Sequence, residues 1–326
     1  MDRARRTDLA TRYWLAAAIP AVLVLSALLP EAALSLPGLH LTDAGVVLVV
    51  FLGSLKLGAD RFRRAWRRID LVVLSLVAAF ALAPLASLAL ARVLGLGSPE
   101  DSLAVLVCAA NGSTLATAVV LTEVAGGDTA LAMVMTVVNT LLSVVLTPLV
   151  FLVLGGAVVD IDAPSMIADM ACKIVLPLLA AQVARRWLAK WAALHARKLS
   201  VASQIVILSY IWTGGAAGLA AMAGRGGVLL ARVVALVLVL HAGLLVVNAI
   251  VARLAARDPG QRVAFVLCSS QKTLPVAMML WKGYFPALPL GPLVAVAYHV
   301  TQLVVDSILA PGALRLPLVR SKEERR

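Results

Sequence analysis

Between AFVL and VAMML the chain reads CSSQKTLP, residues 268–275, which sets Gln271, Lys272 and Thr273 in the middle of a segment otherwise suited to lipid. A lysine at the centre of a membrane span costs about 2.5–3.5 kcal/mol on insertion scales, so such residues are kept for buried ion pairs or for handling charged solutes. A second polar interruption, AANGSTLA at 109–116, carries Asn111, Ser113 and Thr114. A third group lies nearer the C-terminus, where His299, Gln302 and Asp306 recur at intervals of three and four and so share one helix face. That face is expected to look into the protein, with Asp306 as the acid that pairs with Lys272. His299 is read either as a hydrogen-bonded structural group or as a proton relay. Asn139 adds an amide in another apolar run, equally suited to a site and to gluing helices together.

Amides, hydroxyls and an ammonium bind solutes and ions; they are not the equipment of an enzyme. The chain has no phosphate loop, no zinc-ligand spacing and no nucleophile paired with a base. No catalytic residue, metal site or cofactor is assigned. Cys108, Cys172 and Cys268 are scattered through apolar runs and read as free thiols.

The elements that position these groups follow from composition. The 326 residues are 62% hydrophobic and 14% charged, and the mean hydropathy is +0.97, which is the profile of an all-α polytopic membrane protein. Apolar runs lie at roughly 13–30, 42–55, 70–92, 102–122, 129–155, 166–184, 199–221, 228–252, 263–281 and 288–312. Ten spans put both termini on one side, and that side collects 23 of the 29 Lys and Arg residues; five fall opposite, and Lys272 belongs to neither. The positive-inside rule then predicts cytoplasmic termini in an inner membrane. The net charge of +12 needs no nucleic acid to explain it; the expected partners are the lipid bilayer and a small molecule.

The chain also resembles itself. A shift of 160 lays VLVCAANGST (105–114) over FVLCSSQKT (265–273), and a shift of 163 lays NTLLSVVLTP (139–148) over QLVVDSILAP (302–311). Repeats of five spans, about 13–155 and 166–312, must be inverted, and a single transmembrane domain over 1–326 ends in a basic tail at 313–326. Inverted repeats of secondary transporters place their sites near the midplane, where discontinuous helices meet. Asn111, Gly112 and Ser113 are poor helix formers and Pro275 removes a backbone donor, so both interruptions are read as helix breaks. His241 and Asn248 are read as mainly structural, Gly214, Gly215 and Gly218 as close-packing positions, and Glu123 and Asp128 as solvated residues of a boundary turn.

Four ordered motifs, LATAVVLTEVAGGD (115–128), LTPLVFLVLGG (146–156), CSSQKTL (268–274) and YHVTQ (298–302), resemble the bile acid:sodium symporter family, solute carrier family 10. The resemblance is to its divergent SBF-like branch, typified by the seventh human member. It implies ten helices in two inverted five-helix repeats, panel and core domains, discontinuous crossing helices four and nine, and symport of an amphipathic organic anion with sodium. The sodium ligands of the family are mostly not carried over, since Ala79, Ala118, Val119 and Leu267 stand at their places; Thr136 survives as a lone hydroxyl and Gln271 keeps its amide. An ammonium at Lys272 is able to fill the space of a cation. The expected function is a secondary active transporter of an amphipathic organic anion, coupled to sodium or protons, with Asn111, Ser113, Thr114, Thr136, Asn139, Gln271, Lys272, Thr273, His299, Gln302 and Asp306 as substrate- or ion-binding residues. The alternative is a non-transporting membrane regulator of ion homeostasis with the same fold.

Overall fold

Long stretches of Leu, Val and Ala, free of Pro and Gly except at a few points, can satisfy their backbone in an apolar medium only as helices. The computed structural model describes residues 14, 18–35, 41–56, 68–115, 117–155, 161–224 and 227–315, and among these it is all-helical. The helices are α1 (Ala18–Leu28), α2 (Pro30–Ser35), α3 (Leu41–Leu55), α4 (Ile69–Val93), α5 (Pro99–Ala109), α6 (Ala118–Val124), α7 (Thr129–Leu154), α8 (Ala163–Leu194), α9 (Ala196–Met222), α10 (Gly227–Ala255), α11 (Pro259–Ser270), α12 (Leu274–Tyr284) and α13 (Gly291–Leu309). Among the described residues seven helical segments are long and apolar enough to cross a membrane, α11 and α12 together forming one of them, while α1 and α3 are shorter apolar helices. The protein is therefore an integral, multi-pass membrane protein. Arg61, Arg63, Arg64 and Arg67 of the first basic cluster, and the tail beyond residue 315, lie outside the described residues.

Both expected interruptions are present. Helix α5 stops at Ala109 and α6 begins at Ala118; α11 stops at Ser270 and α12 begins at Leu274. The two leading halves start alike. Ser98 accepts from Asp101 N–H ahead of Pro99, and 160 positions later Asp258 accepts from Gln261 N–H ahead of Pro259. In each case a side-chain cap takes one of the free amides of a first turn, and proline fills a position where no donor is missed.

One expectation changes. The basic residues Arg185, Arg186, Lys190, Arg197 and Lys198, expected in a loop between runs ending at 184 and starting at 199, are helical, because α8 runs unbroken to Leu194 and α9 starts at Ala196. That stretch is made of Ala, Leu, Trp, Arg, Lys and one His, with no Gly or Pro to stop a helix. Helices α4 and α8 each contain a wide turn, at Ala78–Leu82 and Ala171–Val175, in which an N–H donates five residues back. A proline follows each, Pro84 and Pro177, and removes the donor that would resume the ordinary ladder.

The glycines of α9 allow close approach, as expected. A Cβ on Gly214 would lie 2.7 Å from Val296 Cγ2 and 3.0 Å from Met278 Cε, and one on Gly218 would lie 3.0 Å from Leu293 Cα. They press α9 onto α12 and α13, the helices that carry the polar core. Gly218→Val is expected to cost about 1–3 kcal/mol through overpacking against a backbone atom, seen as a lower thermal unfolding temperature in detergent. Gly243→Val, where a Cβ would meet nothing within 4 Å, is the matched control.

Candidate functional site: two broken helices that meet

Interrupting a helix in a water-poor interior leaves donors and acceptors that must be paired locally. The two breaks do this partly for each other. Thr273 N–H donates to Gly112 O at 3.2 Å, and the Lys272 ammonium donates to Asn111 O at 3.0 Å. Thr117 Oγ donates to Gln271 Oε1 at 3.3 Å and lies at the same distance from Thr114 Oγ. Gly112 is needed where it stands, because a Cβ there would lie 2.9 Å from Asn139 O on α7. Asn139 itself donates to Ser75 Oγ and to Met135 O, each at 2.8 Å, and Thr136 Oγ donates back to Met133 O.

Side chains complete the accounting. Asn111 Nδ2 donates to the last carbonyls of α5, Val107 O and Cys108 O, and Thr147 Oγ donates to Ala110 O at 2.7 Å. On the other break, the Gln302 amide behaves like a neighbouring strand. Its Oε1 takes Lys272 N–H at 2.7 Å and its Nε2 donates to Lys272 O at 2.8 Å. The same Nε2 faces His299 Nδ1 at 2.8 Å. Asn111 Oδ1, Ser113 Oγ, Asn139 Oδ1 and His299 Nε2 are buried and find no hydrogen-bond partner among the described residues.

His299, Gln302 and Asp306 do face inward together, each at most 1% exposed. The expected pairing of Asp306 with Lys272 does not form. Gln302 occupies the Lys272 backbone, so Asp306, one turn further along α13, falls level with Gln271. Its Oδ2 accepts from Gln271 Nε2 at 2.6 Å and its Oδ1 lies 2.9 Å from His241 Nε2. The ring of His241, on α10, stands edge-on to Tyr298, whose hydroxyl donates to Ser270 O at 2.8 Å. His241, read as mainly structural, thus belongs to this assembly as the partner of Asp306. Its signal in the sequence was a histidine in mid-span, but nothing in one sequence says which acid lies across from it. Asn248, seven residues on, donates to Ser270 Oγ at 2.9 Å and serves the same break.

The Lys272 ammonium is 2% exposed and donates to Ala79 O at 2.7 Å as well as to Asn111 O. Ala79 lies in the wide turn of α4. Ala83 N–H donates to Ala78 O, and Pro84 has no N–H, so the Ala79 carbonyl lacks its usual intrahelical donors and takes the ammonium instead.

Beside the α5–α6 break opens a cavity of about 1050 Å³. Its inner wall is apolar, with Leu115, Val119, Val120, Met133 and Val137, and Thr136 contributes a polar point. Its mouth carries Lys56, Arg185 and Arg197 against one acid, Glu123. Lys56 donates to Ser200 Oγ at 2.9 Å, and burial lowers its pKa below the ordinary lysine range, opposed by attraction to Glu123. Lys272 is absent from the lining. An anion in this cavity would meet the mouth cations rather than Lys272. Asp128, read as a solvated residue of a boundary turn, is part-buried and caps α7 by accepting from Ala130 and Leu131 N–H at 3.0 Å.

His241→Leu is expected to cost about 1–3 kcal/mol, because it leaves a buried Asp306 oxygen without its hydrogen-bond partner. His241 and Asp306 are expected to be non-additive, the double variant His241→Leu/Asp306→Leu losing less than the summed singles. Thermal unfolding of the four proteins in one detergent checks this, and strict additivity would mean the pair contributes nothing jointly.

Comparison with known proteins agrees with the motifs. The model of the SBF-like CPA transporter family (DUF4137) matches residues 13–315. Similar proteins include Uncharacterized protein PA2026 of Pseudomonas aeruginosa, 29% identical over 278 residues, 82% of this chain and 83% of that one. Putative symporter YfeH of Escherichia coli is 26% identical over 61% of each chain. Sodium/bile acid cotransporter 7 of Xenopus tropicalis is 24% identical over 64% of this chain and 62% of its own. The alignments with these last two span less than two thirds of their length. With a family match running through both helix breaks and nearly end to end, the chain belongs to the SBF-like CPA transporter family, a branch of the bile acid:sodium symporters.

Proposed function

We propose that this protein is a secondary active transporter of an amphipathic organic anion, built as ten spans in two inverted five-helix repeats. The observation that carries the reading is the cavity of about 1050 Å³, apolar within and cationic at its mouth, ending at the Leu115 break. An amphipathic anion buries its hydrocarbon face against Leu115, Val119 and Val137 while its charged group stays near Arg185 and Arg197, which is how pockets of this size divide affinity from orientation. The breaks supply what alternating access needs, half-helix ends and irregular backbone buried in protein. Ser113, Asn111 and Asn139 keep unpaired polar atoms there for a solute. The equivalent capped starts of α5 and α11 support the repeat. The relatives' names, a sodium/bile acid cotransporter and a putative symporter, agree with a solute of this class.

On this reading both termini and the cavity mouth face the cytoplasm, where basic residues concentrate. Bile acids, steroid sulfates and aromatic carboxylates are the probes. At least one is expected to raise the unfolding temperature of the purified protein and to enter liposomes carrying it. Arg197→Glu, a reversal at the exposed mouth, is expected to weaken that effect several-fold without loss of fold. A folded protein that no anion stabilises and that moves none overturns the proposal in favour of a non-transporting role.

A further inference from the structure

We propose that the Lys272 ammonium stands where a coupling monovalent cation would otherwise bind, so that this protein carries its cation on its own chain and has no use for sodium at the crossing. The ligation supports this first. The ammonium is held by two backbone carbonyls, Ala79 O at 2.7 Å and Asn111 O at 3.0 Å, and no ion pair with a carboxylate is among its contacts. Unwound carbonyls at a helix break are the ligands that sodium takes in transporters of this architecture. Both carbonyls are freed by identifiable causes, the α5–α6 break for Asn111 and the wide turn with Pro84 for Ala79.

The second support is what the neighbouring positions lack. Sodium is implied by the resemblance to the family, which also implies side-chain oxygen ligands at the places held here by Ala79, Ala118, Val119 and Leu267, none of which carries a side-chain oxygen. Both carbonyls are already engaged by Lys272, and the unpaired Asn111 Oδ1, Ser113 Oγ and Asn139 Oδ1 of the same region are neutral oxygens with no carboxylate among them, so the residues present do not fit a sodium ion beside the ammonium. The acid that would have competed for Lys272, Asp306, is engaged by His241 and Gln271. A second cation placed here would face an unscreened like charge a few ångströms away.

The site assignment holds whatever the solute; its consequence, uptake that needs no sodium, rests on the proposed transport function. The test therefore reads binding rather than uptake. The unfolding temperature of the full-length protein in detergent is measured in sodium, potassium, ethylammonium and choline chlorides at equal ionic strength. The unaltered protein is expected to show the same value in sodium as in choline. Lys272→Ala is expected to start lower and to be raised by about 2 °C or more by sodium or ethylammonium over choline, which is too large for the space. A sodium-specific rise in the unaltered protein overturns the proposal, as does a folded Lys272→Ala that ignores every cation. Should Lys272→Ala not fold, the sodium and choline comparison on the unaltered protein decides alone. Failure of the transport reading would show separately, as absent solute movement with these temperatures unchanged.

Discussion

Everything in the interior is arranged around the pairing of backbone groups that two broken helices leave open. In water such groups cost little, but in a lipid-embedded bundle each unpaired buried donor or acceptor costs about 1–3 kcal/mol. Breaking α5–α6 and α11–α12 side by side creates many of them at once. The structure answers with a polar residue for nearly each one. Asn111 and Thr147 take the end of α5, Gln302 takes both backbone groups of Lys272, Tyr298 takes Ser270 O, and the breaks bond directly through Thr273 and Gly112.

That requirement explains placements that would otherwise look functional or accidental. Gln302 and Asp306 are four apart on α13 because one turn meets the Lys272 backbone and the next meets the Gln271 side chain. Gly112 is small because α7 must come near enough for Asn139 to sit beside the break. The glycine face of α9 holds α12 and α13 in position from the far side. Packing and polar pairing thus specify the same arrangement, which is what makes an irregular segment at this depth hold one conformation.

Much of this was legible in the chain. The breaks were readable because Asn-Gly-Ser and Gln-Lys-Thr-Leu-Pro contradict both helix propensity and apolar context within a few residues. The inward face of α13 was readable because 299, 302 and 306 obey helical spacing. Partner choice was not. Whether Asp306 meets Lys272 or His241 depends on a difference of one turn in how α13 lies against α11 and α10, and periodicity says nothing about register between helices. The cavity was illegible for a related reason, since Leu115, Val119, Met133 and Val137 are ordinary apolar residues whose common wall exists only after packing. The wide turn of α4 had a signal, Pro84, but its consequence, a free carbonyl at Ala79, required knowing what lies opposite.

A tethered ammonium constrains mechanism in a way that a bound ion does not. An alkali cation couples by arriving on one side and leaving on the other; Lys272 can do neither. Its contacts join α4, through Ala79, to the α5–α6 and α11–α12 breaks. Any rearrangement that exposes the crossing to the opposite side must then carry these three elements together or exchange the carbonyls around the ammonium. Because the Ala79 carbonyl is freed within α4 itself by Pro84, and Asn111 within its own break, losing the ammonium would leave two buried acceptors open at once. Moving the three as one body avoids that cost. The ammonium therefore fastens α4 to the two broken helices.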